Sequence, residues 1–145
     1  MKEENIALIE HTCSKLINRF AYLNDAQRYA ELAELFSDDA RFARPTDPDN
    51  YTLGKDNILA AFMARPKDRI SRHAMSNILI DVTSESTAKG VSYVILYTAS
   101  TDDVAEKFGL QANQSQFIGE FYDDFILTDT GWKIASRSGR IIFTS

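Results

Sequence analysis

The chain reads as an α+β domain in which helices cover one face of a mainly antiparallel sheet. Two observations predict this. Apolar residues recur at three- and four-residue steps as far as Pro66 and in strand-like segments after it, and the helices come first instead of alternating with strands. At 145 residues, 44% of them hydrophobic, one domain spanning residues 1–145 can bury about two thirds of its unfolded surface.

From Ile6 to Phe20, the residues Ile6, Ile9, Cys13, Leu16, Ile17 and Phe20 make one stripe of an amphipathic helix, with His11 on its polar side. After "LNDAQ" a shorter helix carries Tyr29, Leu32, Leu35 and Phe36, and "SDDA" ends it with turn-forming residues. The run "ARFARP" reads as a short strand, and "TDPDNYTLG" as a polar loop with a brief extended piece. A third helix, "GKDNILAAFMARP", is capped by Asp56 and stops before Pro66. Strands are expected from Ile70 to Ser84, Thr87 to Ser100, Gln114 to Thr128 and Trp132 to the end. The irregular segment Thr101 to Asn113 joins two of them, and loops of that length usually cover a site or move.

The turn "TDTGW" predicts a register. If Asp129, Thr130 and Gly131 form a three-residue loop, Thr128 faces Trp132, Phe125 faces Ala135, Asp123 faces Arg137 and Phe121 faces Gly139. Asp123 and Arg137 then sit on the face of Phe117, Phe121, Phe125 and Leu127. A compensated ion pair is one reading of them and a direct catalytic role the other.

The formal charge of −5, from 21 acidic and 16 basic residues, argues against a nucleic-acid partner, whose phosphates need a basic face. The start "MKEEN" is acidic, and no apolar run approaches the roughly 20 residues that span a bilayer. A cytoplasmic protein without membrane contact is the expectation. Cys13 is the only cysteine and falls on the apolar stripe, so packing accounts for it. No motif calls for a cofactor or a metal.

Two residues leave alternatives open. His73, in "SRHAMSN", is either a strand histidine satisfied by its neighbours or an acid/base group, being one of only two imidazoles in the chain. Asp25, in "LNDAQR", is either the N-cap of the second helix or a site carboxylate. With period-two alternation, His73, Met75 and Asn77 share one strand face. Around "SYVILY" the polar groups are Ser92, Tyr93, Tyr97 and Thr98, none of them acidic or basic near neutrality.

The segments "FAYLNDAQRYAELAELFSDDARF", "GKDNILAAF", "RHAMSNILID" and "GEFYDDFILTDTGWKIASR" occur in that order. Together they resemble the SnoaL-like group of the nuclear transport factor 2 superfamily. The resemblance runs from about Ile6 to Arg140. It implies a cone-shaped α+β barrel, with three helices on a strongly curved sheet around an apolar pocket, and a homodimer formed through the outer sheet face. It is closest in pattern to the scytalone dehydratase and bile-acid dehydratase branch, which uses an aspartate after the first helix and a histidine at the start of a long strand. Asp25 and His73 stand at those positions.

The resemblance thus implies a lyase (dehydratase) or isomerase acting on a small hydrophobic ring compound without a cofactor, with Asp25 and His73 as its acid/base pair. Phe20, Tyr51, Met75, Asn77 and Tyr93 are the expected substrate-contacting residues. The chain departs from the pattern where Phe20 replaces a tyrosine, and it lacks the second histidine of scytalone dehydratase. Tyr51 is either the substitute donor or a surface tyrosine. The other expectation from the resemblance is a non-catalytic ligand-binding or assembly domain like the β subunits of ring-hydroxylating dioxygenases. An open apolar cavity favours the enzyme, and a cavity filled by the chain's own side chains favours assembly.

Overall fold

Ile9, Cys13, Leu16, Ile17 and Phe20 are buried along one side of α1 (Glu3–Asp25) in a computed structural model that describes residues 1–102, 105, 106, 108–113 and 116–144. The remaining elements are α2 (Tyr29–Ala33), β1 (Phe36–Ala43), β2 (Thr52–Leu53), α3 (Lys55–Met63), β3 (Arg69–Val82), β4 (Thr87–Ser100), β5 (Ala105–Glu106), β6 (Gly109–Leu110), β7 (Phe117–Thr128) and β8 (Gly131–Thr144). Six strands form one sheet in the order β2-β1-β8-β7-β4-β3, and β5 pairs with β6. Only the β1–β8 pairing of the six-stranded sheet is parallel.

The early elements differ from expectation. α1 continues past Phe20 to Asp25, so Asp25 ends the first helix and does not cap the second, whose N-cap position is Arg28. α2 stops at Ala33, and Phe36 begins a strand instead of ending a helix. The cause is tertiary: Ile134 N–H donates to the Leu35 carbonyl at 2.8 Å and Phe36 pairs with Ile134, so β8 draws this segment into the sheet. Asp56 lies in the first turn of α3 without a capping bond from its side chain. The N-cap is Gly54, at φ 87°.

β7 and β8 correct the predicted register and also explain why part of it holds. Thr128 pairs with Gly131, not Trp132, so the loop is the two residues Asp129 and Thr130. A bulge at Ala135 then restores the count: Phe125 pairs with Ile134, Asp124 with Ser136, Asp123 with Arg137 and Phe121 with Gly139. Leu127 is exposed, unlike Phe121 and Phe125. A second bulge in β3, between Ser76 and Leu79, places Asn77 at φ 51°. Asn77 is consequently exposed, while Ser71, His73 and Met75 alternate inward before it.

Within the Thr101 to Asn113 segment, β5 and β6 form a short hairpin, so it is less irregular than expected. Residues 103, 104 and 107 of that segment lie outside the described residues. So does Gln114, the expected start of the third strand. The core joins α1 and α3 to the inner sheet face, with Phe20, Phe36, Phe42 and Phe62 at its centre. Phe20 touches the other three rings at centroid distances of 5.8, 5.8 and 5.9 Å.

Candidate active site

Asp25 owes its position to the way α1 ends. Arg28 N–H donates to the Leu23 carbonyl and Gln27 N–H to that of Asn24, a Schellman closure with Gln27 in the left-handed region at φ 55°. The Gln27 amide then donates to the carbonyls of Lys67 and Arg69, at 3.2 and 2.8 Å. This joins the helix end to the start of β3, two residues before Ser71.

The Asp25 carboxylate accepts three hydrogen bonds from that strand. His73 Nδ1 reaches Oδ1 at 2.5 Å and Ser71 Oγ reaches it at 2.8 Å, while His73 N–H meets Oδ2 at 2.9 Å. Burial alone would push this carboxyl up. The hydrogen bonds from the ring and backbone of His73, its charge and Ser71 outweigh burial and hold the group below its ordinary value. A carboxylate only accepts, so Nδ1 carries a hydrogen, and Nε2 is the nitrogen turned away from Asp25. Of the pair, His73 lines the adjoining cavity and Asp25 does not, which puts the carboxylate behind the imidazole.

That cavity has a volume of about 290 Å³. Its apolar wall comes from Phe20, Phe42, Val94, Leu96, Phe117 and Phe121. Its polar groups are His73, Asn24, Thr46 and three arginines, Arg44, Arg65 and Arg69. Beneath the wall the guanidinium of Arg137 lies 4.3 Å from the ring centre of Phe20 and 3.9 Å from that of Phe121. Its Nε is 3.3 Å from Asp123 Oδ1, and both side chains are fully buried. Burial pushes the Asp123 carboxyl up to about 6, against the opposing pull of Arg137 and with a further push from Asp124. Burial, and secondarily Asp123, raise the Cys13 thiol to about 12, so it is a packing group and not a nucleophile.

The structure brings Asp25, His73 and Phe20 together and leaves the other expected contacts elsewhere. Tyr93 points outward from β4 and is 46% exposed, the alternation placing Ser92 and Val94 inside instead. Tyr51 sits under the Arg41 guanidinium at 4.4 Å from its ring centre, off the cavity wall. Asn77 is turned out by the β3 bulge, and Met75 packs against the core without lining the cavity. Ser71 was the missed partner of Asp25, although it lies two residues before His73 and hence on the same strand face. The three arginines were missed as well. Two of them share a local signal: Ala43, Arg44 and Pro45 repeat as Ala64, Arg65 and Pro66, each set ending an element. Among the described residues no group of His, Cys, Asp and Glu could hold a metal ion, and no helix is long and apolar enough to cross a membrane.

The SnoaL-like domain family matches residues 7–138. No curated protein matches the chain. Among solved structures, a candidate scytalone dehydratase from Novosphingobium aromaticivorans aligns with a TM-score of 0.79 at 22% identity, over 99% of this chain and 91% of that one. A hexachlorocyclohexane dehydrochlorinase, LinA type 2, aligns with a TM-score of 0.81 at 14% identity, over 99% and 92%. An NTF2-like protein with a cystatin-like fold, also from Novosphingobium aromaticivorans, gives 0.70 at 16% identity over 97% and 90%. At these identities the likeness is one of fold.

Proposed function

We propose that this chain, which belongs to the SnoaL-like domain family, is a cofactor-independent lyase (dehydratase) or isomerase for a small hydrophobic ring compound. The observation that carries the reading is the 2.5 Å contact between Asp25 and a histidine that lines an open cavity with an apolar wall. Two of the similar structures bear the names of elimination enzymes, a dehydratase and a dehydrochlorinase. An assembly domain would be expected to fill that space with its own side chains.

In this reading the ring rests on Phe20, Phe117 and Phe121. Nε2 of His73 removes a proton from the carbon next to a carbonyl, and Asp25 stabilises the imidazolium through Nδ1. For a dehydration the C–H electrons form the new double bond, the C–O bond breaks, and the proton on Nε2 goes to the departing hydroxyl as water. For an isomerisation the same proton returns at another carbon. No hydroxyl stands where Phe20 replaces the tyrosine of the dehydratase pattern. The test is a panel of cyclic β-hydroxy ketones, followed by the rise of enone absorbance. Turnover by the native chain that is lost in both His73→Gln and Asp25→Asn is expected. Turnover that persists in either variant would remove the pair.

The homodimer belongs to the same proposal. Val91, Tyr93, Tyr97, Ile118 and Tyr122 form an exposed apolar area on the outer face of β4 and β7, the kind of surface a second copy covers. A monomeric mass at micromolar concentration would contradict it.

A further inference from the structure

The cavity mouth carries a charge arrangement that acid/base chemistry at His73 does not require. Arg44, Arg65 and Arg69 all border the cavity, in a chain whose formal net charge is −5. Among the described residues none of the three has a carboxylate at ion-pair distance, whereas the arginine beneath the wall, Arg137, is paired with Asp123. The hydrogen-bonding partner of Arg65 is neutral: Nη1 donates to Asn24 Oδ1 at 3.3 Å, and the guanidinium lies 4.0 Å from the ring centre of Phe62. Burial, then the like charges of Arg44 and Arg69, lower the Arg65 pKa to about 10. It remains charged at neutral pH, in a cluster that an anion would relieve.

The backbone holds these arginines in place. Arg44 follows the last residue of β1 and precedes Pro45, Arg65 follows α3 and precedes Pro66, and both prolines line the cavity. Arg69 opens β3, where its carbonyl accepts the Gln27 amide. A planar guanidinium fork matches a carboxylate, and the apolar wall beside it suits a ring.

We propose that the substrate is an anionic ring compound, whose carboxylate is held at the mouth by Arg44, Arg65 and Arg69 while its ring lies against Phe20 and Phe121 beside His73. This rests on the reading of the cavity as the substrate site. It adds a class: carboxylated rings are selected over neutral rings of the same shape.

Isothermal titration with 2-naphthoate and 2-naphthamide, which differ in charge and hardly in shape, separates the two claims. The native chain should bind the carboxylate about tenfold or more tightly than the amide, with the preference shrinking as salt is raised. Arg65→Gln and Arg69→Gln should each shrink the ratio of naphthoate to naphthamide affinity several-fold, the ratio cancelling any change in how the cavity wall holds the ring. Arg44→Gln, at an exposed position, serves if the half-buried sites do not tolerate substitution. Equal affinity for the two ligands would overturn the anion site and leave the cavity reading standing. Binding of neither would overturn both. A preference undiminished in an Arg44→Gln, Arg69→Gln double variant would overturn the assignment to these arginines.

Discussion

The side-chain amide of Gln27 donates to the backbone carbonyl of Arg69 at 2.8 Å, joining the end of the helix that carries Asp25 to the start of the strand that carries His73. A glutamine held at φ 55° is an uncommon helix closure, since glycine adopts that region without strain. Gln27→Ala keeps the strain and loses both amide bonds, so it should destabilise the chain by about 1–2 kcal/mol in urea denaturation. Gln27→Gly relieves the strain and should cost less. If alanine proved as stable as glutamine, the amide bonds would contribute nothing.

The buried Asp123 and Arg137 should behave as a unit. Removing one partner leaves the other fully buried without its counter-charge, and Arg137→Met alone should cost about 3–5 kcal/mol. The double change Asp123→Leu, Arg137→Met should cost clearly less than either single change, because no uncompensated charge remains. A double-mutant cycle of unfolding free energies measures this, and simple additivity would contradict it.

Asp123 also sets a pH slope. Its carboxyl is raised to about 6 in the folded chain, chiefly by burial, against about 4 when unfolded. A group that binds its proton more tightly when folded adds stability that is fully present below the unfolded pKa. That contribution is lost as pH rises through the folded pKa, so it should fall between pH ~4 and 6. Asp25 acts in the opposite sense. Its folded carboxyl lies below its ordinary value, so its contribution is present above the ordinary carboxylate range and is lost as pH falls beneath it. Urea denaturation over this window should show that Asp123→Asn lacks a downward contribution present in the native chain. An unchanged slope would contradict the assignment.

Gly139 is a packing requirement of the cavity rim. A Cβ there would lie 2.5 Å from Pro45 Cγ and 3.1 Å from a Phe121 ring carbon. Neither the proline ring nor the buried phenylalanine yields easily, so Gly139→Ala should cost about 1–3 kcal/mol. It should also weaken naphthamide binding, since Pro45 and Phe121 both line the cavity. Unchanged stability and binding would show that the rim adapts.

The parts of the molecule legible in the sequence are those whose residues act locally. The stripe of α1, the long strands and the inward His73 and Met75 follow from periodicity alone. What could not be read depends on partners distant in sequence. Phe36 has the surroundings of a helix residue until β8 pairs with it, and the bulges at Ala135 and Asn77 change which side chains face inward without an obvious local signal. The outward placement of Tyr93 follows from the alternation rule itself, which gives Ser92 and Val94 to the inside. The arginine cluster joins residues from the ends of β1, α3 and the start of β3, and no spacing announces that meeting.

The central claim, that His73 with Asp25 behind it removes a proton from a carbon of a bound ring, can be measured without knowing the natural substrate. Proton NMR of 2-tetralone in deuterated buffer follows exchange at the carbons beside its carbonyl, a reaction that needs a base and no leaving group. The native chain should accelerate this exchange by about a hundredfold or more over His73→Gln at equal concentration, the range general-base catalysis supplies. Exchange at the same rate with the native chain and a folded His73→Gln variant would contradict the account.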